Sequence, residues 1–83
     1  MTAQLRNLGP ISAQWLAEVG INSYADLQKV GSVAAYAMVR RQQSKASLNL
    51  LWALEAALRD IDWRELSAAD KNDLRAQLKS LID

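Results

Sequence analysis

The sequence predicts one all-α domain over residues 1–83, a compact bundle of about five short helices. Three observations indicate this fold class. Apolar residues recur at three- and four-residue spacing, serine or acidic residues stand where these stretches begin, and no useful stretch alternates apolar and polar residues. A chain of 83 residues is long enough for one hydrophobic core and one domain.

The first two predicted helices are short and are joined by a glycine turn. Ser12 is expected to cap the first helix, and Gly20 to end it in a left-handed conformation that glycine adopts without steric cost. Ser23 and Asp26 have the spacing of a capping box at the start of the second helix, which ends at Gly31. Such a hairpin can hold a DNA backbone at its helix N-termini, or it can serve only the fold. The residues alone favour the structural role.

The next two helices differ in their predicted surroundings. Ser32 is expected to cap a third helix with a mixed face. Residues 48–58 are apolar almost all round, which indicates a fourth helix buried on most sides at the centre of the domain. Asn49 and Glu55 are its only polar residues before the last turn, and their spacing points them to different faces. We interpret both as structural, as partners for the ends of neighbouring helices.

Capping-box spacing recurs twice in the last third of the chain, at Asp62 with Glu65 and at Ser67 with Asp70. Trp63 is expected to be an apolar anchor beside the first of these boxes. A last helix, over about residues 68–81, is predicted to bury one apolar face. The residues of this face are Leu74, Leu78, Leu81 and Ile82.

Several functional classes are disfavoured by what the sequence lacks. Without histidine or cysteine the chain has neither the usual zinc ligands nor a Ser-His or Cys-His catalytic pair. The acidic residues mostly have capping roles, and no glycine-rich phosphate loop is present. We therefore expect no enzymatic activity, no metal and no cofactor. The start of the sequence lacks a signal-peptide apolar region, and no apolar run approaches the ~20 residues of a membrane span, so we expect a cytoplasmic protein with no membrane contact.

Charge is distributed unevenly although the net charge is only +1. Residues 1–47 carry five basic and two acidic residues, a balance of +3, and residues 48–83 carry five basic and seven acidic residues, a balance of −2. The basic residues of the first part are the candidate nucleic-acid contacts: Arg6, Lys29, Arg40, Arg41 and Lys45. An ordinary solvated surface explains the same distribution. Cations such as Arg40 and Arg41 also suit the dipole at the end of the third helix.

Four motifs carry a family resemblance over nearly the whole chain. They are LRNLGPISAQWL from Leu5 to Leu16, VGINSYADL from Val19 to Leu27, GSVAAY from Gly31 to Tyr36, and LNLLWALEAAL from Leu48 to Leu58. By these motifs the chain resembles the C-terminal domain of the TfoX/Sxy family, in a stand-alone version. Family proteins often carry a further domain of similar size before this one.

The resemblance implies a bacterial regulator of natural competence for DNA uptake that acts on transcription as a coactivator. It also implies a fold similar to helix-hairpin-helix and SAM-like domains, with first helices that look like the C-terminal domain of the RNA polymerase α subunit. The helix-hairpin-helix turn has glycine, a hydrophobic residue and glycine, whereas this sequence has Gly20, Ile21 and Asn22. That departure disfavours direct phosphate binding by the turn.

Two functional hypotheses follow. In the first, the domain contacts a regulatory protein, the transcription machinery or a second copy of itself, and the candidate contacts are Trp15, Tyr24 and Trp63, because aromatic residues dominate interface hot spots. In the second, the five basic residues given above hold DNA weakly and without sequence preference. Of the two, the sequence slightly favours the protein contact.

Overall fold

The computed structural model of the protein describes residues 9–82. This part of the chain contains five α-helices and no strand, which confirms the predicted all-α class. A single 3-10 turn, Trp63–Glu65, lies between the fourth and fifth helices. The helices are α1 Pro10–Glu18, α2 Tyr24–Val30, α3 Ser32–Gln42, α4 Leu48–Arg59 and α5 Ala68–Ile82. None of these described helices is long and apolar enough to cross a lipid bilayer.

The central position predicted for α4 is confirmed. Both sides of this helix contribute to the core, as its continuous apolar pattern requires. Its buried residues are Leu50, Leu51, Trp52, Leu54, Ala56 and Ala57. Helix α3 packs against α4 and also touches α1, α2 and α5, so α3 and α4 together form the frame on which the shorter helices rest.

Helix α1 begins three residues before the predicted start. Gly9 is its N-cap and Pro10 its first residue, so Ser12 lies inside the helix and the predicted Ser12 cap is wrong. Proline suits the first helical position because its φ is already helical and its missing N–H would have had no partner there. The N–H of Ala13 donates to the Gly9 carbonyl at 3.0 Å and closes the first turn.

The predicted glycine turn after α1 is confirmed. Gly20 has φ of 87°, and its N–H donates to the Ala17 carbonyl at 3.0 Å. The N–H of Ile21 donates to the Leu16 carbonyl at 2.9 Å, which completes a Schellman motif. Because Ile21 and Leu16 are both fully buried, the turn also fixes the α1–α2 corner against the core.

A second glycine of positive φ joins α2 directly to α3. Gly31, with φ of 88° and ψ of 157°, ends α2 and also precedes the first residue of α3. Ser32 makes no capping hydrogen bond, so its predicted capping role is wrong. Its side chain is buried, and its hydroxyl donates to Oε1 of Glu55 on α4 at 2.6 Å. The hydroxyl of Ser32 is thus bonded to a residue 23 positions later in the sequence instead of capping its own helix.

Two of the three predicted capping boxes form in full, and the box at Ser23 and Asp26 forms by half, because the Asp26 carboxylate accepts the N–H of Asn22 and not that of Ser23. Ser23 Oγ accepts the N–H of Asp26 at 3.1 Å at the start of α2. Asp62 and Glu65 make a reciprocal capping box around the 3-10 turn. At the start of α5, the N–H of Asp70 donates to Ser67 Oγ at 3.0 Å, and the N–H of Ser67 donates to Asp70 Oδ2 at 3.2 Å.

The apolar face predicted for α5 is only partly buried. Leu74 is buried and Leu78 packs half-buried against the core, whereas the prediction for Leu81 is wrong because that side chain is 54% exposed. Near the end of α5, Lys79, Ser80 and Leu81 are exposed, and Leu81 lines an open cavity beside the start of α3. The side chain of Ile82 lies outside the described part of the chain.

Candidate interaction surface

Two of the three candidate aromatic contacts meet at one cavity, which we call the tryptophan cleft. Trp15 reaches it from α1 and Trp63 from the 3-10 turn, 48 positions later in the sequence. The cleft has a volume of about 350 Å³. Its lining residues are Ser12, Trp15, Lys45, Ser47, Asn49, Leu50, Ala53 and Trp63. Lys45 is thus the one basic candidate that shares a cavity with the aromatic candidates among the described residues.

Local structure fixes the position of Trp63. The N–H of Asp62 donates to Glu65 Oε2 at 2.8 Å, and Asp62 Oδ1 accepts the N–H of Arg64 at 2.9 Å. Leu66, which follows directly, is buried in the core. This short, hydrogen-bonded turn leaves the Trp63 side chain 41% exposed at the cleft.

A second cavity, which we call the arginine pocket, lies between α3 and α5. It has a volume of about 250 Å³ and is lined by Tyr36, Ala37, Arg40, Arg41 and Leu78. The Tyr36 hydroxyl donates to the Ala46 carbonyl at 3.0 Å and accepts Arg40 Nη1 at 3.2 Å. The buried tyrosine therefore orients one guanidinium at the edge of the pocket.

The remaining candidate contacts lie elsewhere. Tyr24 is exposed on α2, and its hydroxyl donates to the Leu58 carbonyl at 2.9 Å, so this side chain ties α2 to the end of α4. Lys29 is exposed in the last turn of α2, where it suits the helix dipole. Arg6 lies outside the described residues. Among the basic candidates within residues 9–82, the structure therefore brings only Arg40 and Arg41 together in one cavity.

The turn between α1 and α2 has its donors engaged within the protein. The N–H groups of Gly20 and Ile21 are used in the Schellman motif. The next one, of Asn22, donates to Asp26 Oδ2 at 3.0 Å. A phosphate-binding turn needs free N–H groups without a competing anion. Here three consecutive donors have partners, and the carboxylate of Asp26 occupies the place of an anion.

The two polar residues of α4 have different positions. Glu55 accepts the Ser32 hydroxyl from the start of α3, which confirms its interpretation as a partner for a neighbouring helix end. Its Oε2 also accepts Nε of Arg59 at 2.7 Å, and this hydrogen bond raises the pKa of Arg59 against the opposing effect of burial. Asn49 instead lines the tryptophan cleft from the first turn of α4.

The carboxylate of Asp70 links stability to pH. The N–H and hydroxyl of Ser67, followed by the nearby Arg59 guanidinium, hold the pKa of Asp70 below its ordinary value of 3.8. A carboxylate with a lowered folded-state pKa stabilises the fold above its unfolded-state pKa, and this contribution is lost as the pH falls through the folded-state value.

We therefore expect Asp70→Asn to lower the melting temperature at neutral pH. The difference from the unmodified protein should shrink below about pH 4 and disappear once both side chains are neutral. Circular-dichroism melts across this pH range test the expectation. Asp73→Asn, on the exposed side of the same helix, controls for the loss of one charge. A difference that stays constant down to acid pH would contradict the role given to Asp70.

The described residues contain no cluster of side chains that could bind a metal ion. Residues 9–82 contain no group of three or more histidine, cysteine, aspartate or glutamate side chains placed to hold a metal ion. The two cavities are lined instead by aromatic, apolar, amide, hydroxyl and basic groups. Side chains of these kinds can contact a binding partner through apolar packing, hydrogen bonds and ion pairs.

Comparisons with known proteins give a family but no partner. The family model of the TfoX C-terminal domain matches residues 2–78. A crystal structure of a protein of unknown function from Listeria monocytogenes, in a tetragonal form, is 32% identical with a TM-score of 0.87, over 98% of this chain and 99% of that chain. A triclinic crystal structure of an uncharacterized protein from Listeria monocytogenes is also 32% identical, with a TM-score of 0.86, over 96% and 91% of the two chains. No curated protein matches. On the match of the family model to nearly its whole length, the chain belongs to the TfoX C-terminal domain family.

Proposed function

We propose that this domain is a small cytoplasmic regulatory module that acts through protein–protein contacts as a transcription coactivator or competence-related regulator. Membership of the TfoX C-terminal domain family supports the regulatory role. The observation that carries the mode of action is the tryptophan cleft, where the exposed Trp63 and the half-buried Trp15, from distant parts of the chain, line one cavity. The partner is a regulatory protein or a part of the transcription machinery.

The chemistry of the cleft suits a protein partner. An exposed tryptophan offers a large rigid apolar surface that gains free energy when a partner covers it, and tryptophan is enriched among interface hot spots. Lys45 and Asn49 add a cation and an amide to the same cavity, which resembles the polar rim around an apolar interface centre. The capping box around Trp63 keeps the backbone that carries this side chain ordered before binding, which lowers the entropy cost of association.

Binding to purified bacterial RNA polymerase holoenzyme tests this proposal. The labelled domain is titrated with the enzyme, and Trp63→Ala is expected to weaken binding by about 30-fold or more, the effect of a hot-spot residue. Leu81→Ala is the matched control, because Leu81 is also an exposed apolar side chain but does not line the cleft. Equal weakening by both variants would contradict a specific contact at the cleft, and so would unaltered binding of Trp63→Ala.

Weak DNA binding without sequence preference is the second candidate function. It is favoured by Arg40 and Arg41, which are exposed and form no ion pair with another described residue. The engaged N–H groups and the Asp26 carboxylate of the α1–α2 turn weigh against the hairpin as the binding element. Fluorescence anisotropy with duplex DNA tests this function. Binding through phosphates should weaken with salt by a logarithmic slope of about −0.9 for each phosphate neutralised.

A further inference from the structure

Among the described residues, the two arginines of the arginine pocket lack the carboxylate partners that Arg59 and Arg64 have, as does Arg75 on α5. Arg59 pairs with Glu55 and Asp70, and Arg64 pairs with Asp62. Arg40 and Arg41 have no carboxylate partner among the described residues, and no acidic residue lines their pocket. Glu18 shares a neighbouring cavity with Arg41 but lies beyond ion-pair distance. Two adjacent guanidinium groups without an ion-pair partner favour an anionic ligand at this place.

The guanidinium of Arg40 is held before any ligand arrives. Its Nη1 donates to the hydroxyl of Tyr36 at 3.2 Å, and that hydroxyl is itself fixed by the Ala46 carbonyl. The partner of the arginine is thus a neutral group, which orients the side chain and leaves its charge uncompensated. An arginine oriented in advance loses less conformational entropy when it binds an anion.

The floor of the pocket is apolar. Ala37 is buried and Leu78 is half-buried, and both face the cavity beside the two arginines. The volume of about 250 Å³ is below the ~300 Å³ at which pockets for free small molecules usually begin. The pocket is therefore of a size for one side chain of a larger molecule, with charge recognition at its edge.

We infer that the arginine pocket is a docking site for an acidic segment of a partner protein. An apolar side chain of that segment enters between Ala37 and Leu78, and its flanking carboxylates pair with Arg40 and Arg41. Charge complementarity selects an acidic partner, and the apolar floor selects a protein over DNA, because a phosphate backbone carries no apolar side group to fill it. The arginine pocket shares no lining residue with the tryptophan cleft, so this inference does not depend on whether the cleft binds RNA polymerase.

A synthetic peptide tests the inference. The probe is a short fluorescein-labelled peptide with one leucine flanked on both sides by glutamates, followed by anisotropy against the full chain. We expect saturable binding below ~1 mM, and a loss on the order of tenfold for each guanidinium removed in Arg40→Gln and Arg41→Gln. The peptide with glutamine in place of glutamate, and the peptide with serine in place of leucine, should each bind more weakly.

Control variants distinguish binding in the arginine pocket from a nonspecific attraction between the peptide and the positive charge of the protein. Lys29→Gln and Arg75→Gln each remove one positive charge, as the pocket variants do, from residues that do not line the pocket, and each should leave peptide binding nearly unchanged. Circular-dichroism melts establish that each variant is folded. Equal losses in the control and pocket variants would overturn the inference, and so would absence of peptide binding up to ~1 mM.

Two further outcomes would assign the pocket to another occupant and would also overturn the inference. One is binding of duplex DNA that depends on Arg40 and Arg41 and is not displaced by the peptide. The other is a dimer in sedimentation that dissociates in the Arg40→Gln and Arg41→Gln variants, since a second copy would then fill the pocket. Displacement of duplex DNA by the peptide at this site would support it.

Discussion

Replacement of Leu54 by alanine is expected to lower the free energy of unfolding by about 2–5 kcal/mol, the range for a buried leucine truncated in a core. Leu54 lies on the central helix α4 and is 0% exposed. The loss comes from fewer apolar contacts and from the cavity left behind, because alanine itself is the best helix former. Small domains have total stabilities of about 5–15 kcal/mol, so this variant should unfold at a clearly lower urea concentration. Tryptophan fluorescence in a urea titration measures the change.

Leu48→Ala is the control for Leu54→Ala. Leu48 is on the same helix and is also a leucine, but it is 36% exposed. Its truncation should cost less than about 1 kcal/mol, as for most partly exposed positions. Similar losses at both positions would show that α4 is not the centre of the core.

Gly31→Ala is expected to lower the free energy of unfolding by about 1–3 kcal/mol. The reason is backbone strain rather than crowding. A Cβ added to Gly31 would have nothing within 4 Å, but φ of 88° with ψ of 157° lies in a region that side chains with the L configuration avoid. The strain acts at the junction of α2 and α3, where the Gly31 N–H donates to the Leu27 carbonyl at 2.7 Å and its carbonyl accepts the N–H of Ala35 at 3.0 Å. Urea or thermal denaturation measures the loss.

Gly9→Ala provides a matched comparison for Gly31→Ala. A Cβ at Gly9 would also meet nothing within 4 Å, and its φ of −87° is one that alanine adopts readily. Alanine is a poorer N-cap than glycine, so a small loss of less than about 1 kcal/mol is expected. If the two substitutions cost the same, the strain assigned to Gly31 is wrong.

Local patterns predicted the elements of this fold well where their causes are local. The apolar pattern of residues 48–58 identified the central helix, and the spacing of Ser67 and Asp70 identified the start of α5. Two predicted caps failed because another interaction is stronger at the same place. Proline at the first helical position places the start of α1 ahead of Ser12, and the hydroxyl of Ser32 is engaged in a partly buried hydrogen bond to Glu55.

The residues of the candidate surfaces could likewise be predicted from local sequence, but their positions relative to one another could not. The aromatic and basic residues could be named from their chemistry, but their grouping depends on tertiary packing. Trp63 meets Trp15 only because the 3-10 turn packs beside α4, and Leu78 joins Arg40 and Arg41 only because α5 packs on α3. No spacing in the sequence indicates these neighbours. Tertiary packing also separates Tyr24 from the two tryptophans.

The hydroxyl of Tyr36 makes one hydrogen bond beside each of the two cavities. It accepts Arg40 of the arginine pocket and donates to the carbonyl of Ala46, whose preceding residue, Lys45, lines the tryptophan cleft. One oxygen atom thus holds a side chain of one cavity and the backbone beside the other.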